Sequence, residues 1–170
     1  MILYNLGSRR NALNVADWSM DVVPCSDGNG RVFTLEQANR SLVLLQRIVG
    51  EVVREYGQLM ELEERIESAE QANQPLQLEQ ARQRLVTTVD NLQTCLEELD
   101  QIGVELRDFA RGIVDFPCLH EGKLISLSWL YGEEDVSHWH ERHASFACRQ
   151  PIELLQYHLA AEPIEMTTLL

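Results

Sequence analysis

The chain has few cysteines, and none of them lies near another. Its 170 residues contain four, Cys25, Cys95, Cys118 and Cys148, and these form no CxxC pair. Such spacing is unlike the disulfide framework of a small secreted domain. We therefore expect free thiols and a cytoplasmic location.

Basic residues and long apolar runs are also scarce. Fourteen lysines and arginines stand against 27 aspartates and glutamates, which gives a formal net charge of -13. Nucleic acids and anionic membrane surfaces are bound through lysine and arginine, so this balance argues against both as partners. No apolar run approaches the roughly 20 residues needed to span a bilayer. The first residues also lack the charge order of a signal peptide.

No motif in the sequence names a reaction by itself. The stretch "SDGNGR" lacks the lysine and the preceding strand of a phosphate-binding loop. No Ser-His-Asp nucleophile motif is visible. Residues 1–30 have no sustained hydrophobic period and end in turn-forming residues, so we expect a loosely ordered N-terminal arm there.

The first regular element is a long helix. Thr34 and Gln37 form a capping box, in which a hydroxyl and a side-chain amide satisfy early backbone N–H groups. Apolar residues then recur every three or four positions from Leu35 to Ile66. This period indicates a helix over about 35–72 with a coiled-coil-like seam.

A second helix follows after a short connection. Pro75 suits the first turn of a helix, and a second apolar stripe continues to Ile102 before Gly103, which fits a C-terminal cap. Because the connection is short, the two helices should form an antiparallel hairpin.

The last third of the chain changes its hydrophobic period. "GIVDFP" and "KLISLSWLY" predict two strands around a turn at Gly122, "VSHWH" predicts a third, and a short helix is expected from Pro151. The predicted fold is mainly α (α+β), a long antiparallel helical hairpin packed at one end by a small antiparallel β-sheet and a short C-terminal helix. Residues 31–152 form one domain in this prediction, and 153–170 form the terminal helix and tail.

Four stretches resemble a known family: "FTLEQANRSLVLLQRIV", "GVELRDFARGIVDFP", "SWLYGEEDVSHWHE" and "FACRQPI". They are similar to a bacterial family of uncharacterised proteins, domain of unknown function 2203, from about Val32 to Ile152. The resemblance implies a small cytosolic protein with a long helix pair and a compact C-terminal part, without an established activity. The positions that match its characteristic block are Asp115, Phe116, Pro117, Trp129, Gly132, Glu133, His140 and Arg149 to Pro151. The residues that gain no support from it are Cys118, His120, His138, His143 and Cys148.

Three of the five histidines lie in the stretch "HWHERH", residues 138–143. In a strand, His138 and His140 would share one face about 6.5 Å apart, whereas in a helix His140 and His143 would share a face. With Glu141, these histidines are candidate ligands for zinc or iron, although the spacing is not that of the HExxH motif. The residues that would extend this set are Cys118, His120 and Cys148. The alternative is that His138 and His143 are exposed and His140 is hydrogen-bonded against the core.

A second constellation combines Asp115, His140, Glu141 and Arg149, with Trp129 nearby. A carboxylate, an imidazole and a guanidinium together are able to move a proton and hold an anionic ligand. They equally form a structural lock, in which the arginine bridges Asp115 or Glu141 and ties the terminal segment to the sheet. Trp129 is then a core anchor, because no basic groove accompanies it.

Several apolar residues lie off the main helical seams: Val43, Leu44, Ile48, Val53 and Val86. Their position favours a further packing partner, either the C-terminal layer or a second copy that completes a four-helix bundle, and we expect a homodimer. The sequence therefore favours a non-catalytic helical-hairpin module for interaction or oligomerisation, with a structural polar lock. The alternative is a metal- or small-ligand-binding protein, or an enzyme, centred on His140.

Overall fold

The structure is a computed structural model that describes residues 31–155. The N-terminal arm predicted for residues 1–30 and the chain after Leu155 lie outside the described residues. The described part contains two long α-helices followed by a five-stranded antiparallel sheet, which confirms the predicted α+β class. Among residues 31–155, no helix combines the length and the apolar character needed to cross a membrane.

Helix α1 spans Leu35–Gln71. Its capping box is present, because Thr34 Oγ1 accepts the Gln37 N–H at 3.2 Å and Gln37 Oε1 accepts the Thr34 N–H at 3.0 Å. The capping box predicted from the sequence is therefore confirmed. At its other end the helix stops at Gln71, within one residue of the predicted end at about residue 72.

Helix α2 spans Pro75–Ile102 and runs antiparallel to α1, with Pro75 at its first turn. It ends at Gly103, whose φ of 91° is in the left-handed region that favours glycine. The two apolar seams face each other, and one charged residue is buried between them. Glu55 is 4% exposed and accepts hydrogen bonds from Arg54 and Asn91.

The sheet has the strand order β1-β2-β3-β4-β5. Its strands are β1 (Glu105–Asp108), β2 (Ile113–His120), β3 (Lys123–Leu130), β4 (His138–Glu141) and β5 (Gln150–Pro151). A two-residue turn at Glu121 and Gly122, both with positive φ, joins β2 to β3, as such tight hairpins require. Strands β2, β3 and β4 match the three predicted strands, whereas β1 and β5 are not foreseen.

The helix predicted from Pro151 is present only as a short 3-10 turn over Ile152–Leu154. The reason is local pairing, because Pro151 lies opposite His138 in the sheet and the Ile152 N–H donates to Ser137 O at 2.9 Å. Because the backbone at Pro151 and Ile152 pairs with the edge of the sheet, a regular α-helix does not start at Pro151.

The two faces of the sheet differ in chemistry. One face is apolar and shares a single core with the helices, and its buried members include Val114, Phe116, Leu127, Trp129 and Trp139. The opposite face is polar, and its buried members include Asp115, Ser126, Ser128 and His140. The segment 142–149 crosses this polar face, because Arg142 follows β4 and reaches Glu105 in β1 at 2.6 Å.

Candidate functional site

The orientation of the histidine stretch follows from its being a strand. In β4, His138 lies opposite Ser128, Trp139 opposite Leu127, and His140 opposite Ser126. His138 and His140 therefore share the polar face, and Trp139 points into the core. This is the strand arrangement, rather than the helical one, of the two considered from the sequence.

His140 forms a buried pair with Asp115, two strands away. His140 Nε2 lies 3.2 Å from Asp115 Oδ1 and 3.1 Å from Asp115 Oδ2, and both side chains are 1% exposed. The imidazole passes over β3 at Ser126, where the small side chain leaves room for it. The predicted proximity of Asp115 and His140 is therefore present.

The hydrogen bonds of His140 indicate its charge. Its Nδ1 lies 2.8 Å from the carbonyl oxygen of Glu141, so both ring nitrogens face acceptors. Only the imidazolium, with two N–H groups, donates to both partners at once. Burial lowers the pKa of His140, but the hydrogen bond and charge of Asp115 and the Glu141 carbonyl outweigh burial and raise the pKa above its ordinary value.

The pair belongs to a larger charged network on the polar face. Arg107 Nε lies 3.4 Å from Asp115 Oδ2, and Arg107 also lies beside Glu105. Glu105 in turn accepts a hydrogen bond from Arg142. Opposite charges thus alternate from β4 across the sheet to β1. Sequence reasoning missed Glu105, Arg107 and Arg142. The i, i+2 placement of Glu105 and Arg107 puts both on one face opposite Asp115, but only once β1 is known to be a strand, and no local pattern marks Arg142.

Arg149 lies in a separate polar group. It pairs with Glu133, and its guanidinium lies 4.3 Å above the ring of Phe146. Glu133 also accepts the Leu130 N–H at 2.9 Å, and its carbonyl accepts the Trp129 indole N–H at 3.0 Å. Arg149 therefore joins the segment after β4 to the loop after β3, and not to Asp115 or Glu141 as the sequence suggested.

Glu141 points to the other face of the sheet. It pairs with Lys123 at 2.8 Å, and both side chains are more than half exposed. The constellation predicted from the sequence is thus divided into three groups: the buried Asp115–His140 pair, the Arg149–Glu133 pair beside Trp129, and this surface pair.

The sequence of the chain matches one known family. The model of a family described as an uncharacterized conserved protein (DUF2203) matches residues 31–152, which is more than half of the chain. The chain belongs to this family. The resemblance drawn from the sequence is therefore confirmed, but the description of DUF2203 supplies no activity. No curated protein and no solved structure matches the chain significantly.

The metal ligands considered for this DUF2203 protein are not gathered at one point. His138 Nδ1 lies 2.9 Å from Ser137 Oγ, His143 is exposed, and both ring nitrogens of His140 are engaged. Within residues 31–155, no three His, Cys, Asp or Glu side chains are placed to hold a metal ion together. The further sulfur candidates differ in setting, since Cys118 is buried and Cys148 is exposed.

Ser126, His140 and Asp115 superficially suggest a nucleophilic triad in this DUF2203 protein. Ser126 Oγ is buried and has no hydrogen-bond partner among the described residues. The His140 nitrogen not paired with Asp115 would have to accept the serine proton, but it faces the Glu141 carbonyl. The arrangement therefore holds a charge in the interior and provides no accessible nucleophile.

Two clefts flank residues 141–144. One of about 510 Å³ is lined by Leu124, Arg142 and His143 on the polar side of the sheet. The other, of about 400 Å³, lies at the end of the β2–β3 hairpin, and its lining includes His120, Trp139 and two of the candidate residues, His140 and Glu141.

Proposed function

We propose that this DUF2203 protein is a non-catalytic interaction module that associates with a second copy of itself. In this proposal residues 31–56 and 89–155 form a head, and residues 57–88 form a two-helix arm. The buried network of Glu105, Arg107, Asp115, His140 and Arg142 is the structural lock of the head.

The burial of the charged network supports a structural role. His140 and Asp115 are 1% exposed, and the arginines that complete the network have side chains 29% and 19% exposed. His140 lines the cleft of about 400 Å³, but its two ring nitrogens already face Asp115 and the Glu141 carbonyl. A substrate would therefore have to replace one of these partners. A buried network with alternating charges fixes the relative positions of β1, β2 and β4, so it fits a lock better than a reaction centre.

The observation that carries the proposal is the projection of the arm beyond the sheet. The contacts between α1 and the sheet side run from Asn39, which accepts the Val136 N–H, to Tyr56, whose ring lies 5.6 Å from that of Phe109. Beyond this point α1 continues for 15 residues to Gln71, and α2 contributes the 14 residues from Pro75 to residue 88, a length of about 22 Å. The side chains buried in the arm follow the seam between the helices: Leu59, Leu62, Ile66, Ala69, Ala81, Leu85 and Thr88. A projection of this length contributes little to the head, which favours a role in association.

The exposed apolar residues of the hairpin favour a helical partner. Of the off-seam residues, Ile48 is buried and Val53 is half-buried within the chain. Val43, Leu44 and Val86 remain 84%, 43% and 42% exposed. A second hairpin laid along the first would cover apolar surface on both helices and complete a four-helix bundle.

Sedimentation equilibrium of the full chain tests this association. We expect a mass of twice 19.5 kDa at micromolar concentration. The double variant Val43→Glu/Val86→Glu should reduce the mass to that of one chain, because it places charges in the proposed interface without changing a buried position.

A matched control is Gln46→Glu/Thr87→Glu, which adds the same two charges at neighbouring exposed positions. This variant should keep the mass of a dimer. A single-chain mass for the unmodified protein, or equal behaviour of the two double variants, would contradict the proposed interface.

A further inference from the structure

The apolar face of the sheet extends beyond the helices at the end of the β2–β3 hairpin. The Phe33 N–H donates to Pro117 O at 2.7 Å, so α1 begins beside residue 117. At the other end of β2, Gly112 packs against Val49 of α1. Helix α1 therefore runs away from the hairpin turn, and within residues 31–155 the segment after β4 is what lies beside that part of the face.

This end of the sheet contains the cleft of about 400 Å³, which we call the hairpin-end cleft. Its volume lies within the range of small-ligand sites. Its apolar lining is Ile125, Trp139 and Leu155. Its polar lining contains two carboxylates and one ammonium group, and its members are His120, Glu121, Lys123, His140, Glu141, Cys148 and Gln150. Strand register places several of these residues on one face, since His120 lies opposite Lys123 and Trp139 opposite Gln150.

His120 lines this cleft, and one of its hydrogen-bonding atoms is unused in the wall. Its Nε2 is buried and has no hydrogen-bond partner among residues 31–155. A buried polar atom without a partner is unfavourable, and a ligand group that bonds to it would remove that penalty.

Lys123 provides a positive charge at the same rim. Its ammonium pairs with Glu141, but the two side chains are 68% and 54% exposed. Exposed pairs of this kind are weak, so Lys123 is able to exchange Glu141 for another carboxylate at little cost.

We propose that the hairpin-end cleft binds a small molecule with an apolar body and one carboxylate group. The carboxylate accepts hydrogen bonds from His120 Nε2–H and the Lys123 ammonium, and the body packs against Ile125, Trp139 and Leu155. This inference is independent of the association proposed for the hairpin, because none of the interface residues Val43, Leu44 and Val86 lines the cleft.

Titration of the full chain with benzoate, hexanoate and benzamide tests the site. Two-dimensional amide NMR and calorimetry should show that the two carboxylates bind and shift the signals of Trp139 and Gln150. Benzamide, which matches benzoate in shape but carries no charge, should bind at least tenfold more weakly. His120→Leu and Lys123→Gln should each weaken benzoate binding about tenfold or more.

His143→Leu is the matched control, because it removes an exposed imidazole that lines the neighbouring cleft. Benzoate should bind this variant as tightly as it binds the unmodified protein. His120→Leu should unfold at the same or a higher urea concentration, because it removes a buried unpartnered atom, so its loss of binding would not reflect unfolding. Three results would each overturn the proposal. The first is equal binding of benzoate and benzamide, and the second is benzoate binding that His120→Leu does not change. The third is the absence of any shift of the cleft signals, as expected if another part of the chain fills the cleft.

Discussion

His140 and Asp115 are each 1% exposed, and the strength of their pairing depends on one proton. The pKa of His140 is raised in the folded protein above its ordinary value of 6.5. A group whose pKa is raised by folding contributes its full stabilisation below the unfolded-state pKa, and it loses that contribution as the pH rises through the folded-state pKa. We therefore expect the free energy of unfolding to decrease as the pH rises above about 6.5.

Asp115→Asn isolates this contribution at the residue scale. At pH 6 the variant should lose about 3 kcal/mol of unfolding free energy, because His140 and Arg107 then lack their buried charged partner. Its stability should also lack the decrease with rising pH that the unmodified protein shows. Urea unfolding at several pH values between about 5.5 and 8.5 measures both effects, since the wild-type pKa is raised from 6.5.

The control at this scale is His143→Gln, which removes an exposed titratable imidazole. It should keep the pH dependence of the unmodified protein. If Asp115→Asn keeps that dependence as well, the proton responsible belongs to a group other than His140.

At the scale of elements, the helices could be predicted closely and the edge strands could not. The helix ends depend on local chemistry, namely the Thr34 capping box, Pro75 at a first turn and Gly103 in the left-handed region. Strand β1 has only four residues, three of them charged, so its sequence lacks the apolar alternation that identifies a strand. It forms a strand because it pairs with Val114 and Asp115 in β2, and a local sequence pattern does not reveal that pairing.

The candidate site could be predicted only in part for the same reason. The face shared by His138 and His140 follows from strand alternation, which is local. The pairing of Asp115 with His140 depends on β3 lying between their strands, and the pairing of Arg149 with Glu133 depends on where the loop after β3 returns. Both pairings join residues that are far apart in the sequence, so no periodic sequence pattern predicts them.

The contact between α1 and the β1–β2 turn provides a prediction for the elements. Gly112 and Gly122 both have positive φ, 68° and 78°, so alanine at either carries a penalty of about 1–2 kcal/mol. A Cβ on Gly112 would also lie 2.7 Å from Val49 Cγ1 and 2.7 Å from Tyr131 Cβ, whereas one on Gly122 meets nothing within 4 Å. We therefore expect Gly112→Ala to cost roughly 2 kcal/mol more than Gly122→Ala in urea unfolding. Equal costs would show that α1 is not held tightly against this turn.

At the scale of the whole molecule, the hairpin carries about half of the excess negative charge. Residues 35–102 carry thirteen carboxylates and six arginines, and they contain no lysine. The polar face of the sheet, in contrast, places Arg107, Arg111, Arg142 and Arg149 beside acidic partners. Residues 35–102 thus contribute -7 of the formal net charge of -13, since thirteen negative charges face six positive ones. Because the proposed interface lies on this hairpin, the dimer should become tighter as salt screens the repulsion between two hairpins.

Shortening the arm tests whether head and arm are separable. Deleting residues 59–65 and 81–87 removes one heptad from each helix, keeps the seam in register and removes Val86. The test uses a Trp18→Phe background, which leaves Trp129 and Trp139 as the fluorescent tryptophans. Both are buried in the head, so the fluorescence maximum should not change. Helical circular dichroism should decrease in proportion to the deletion, and the mass should fall to that of one chain, because the arm half of the proposed interface is gone. A red-shifted tryptophan spectrum would show instead that the arm is needed to fold the sheet, and a persistent dimer would move the interface away from the arm.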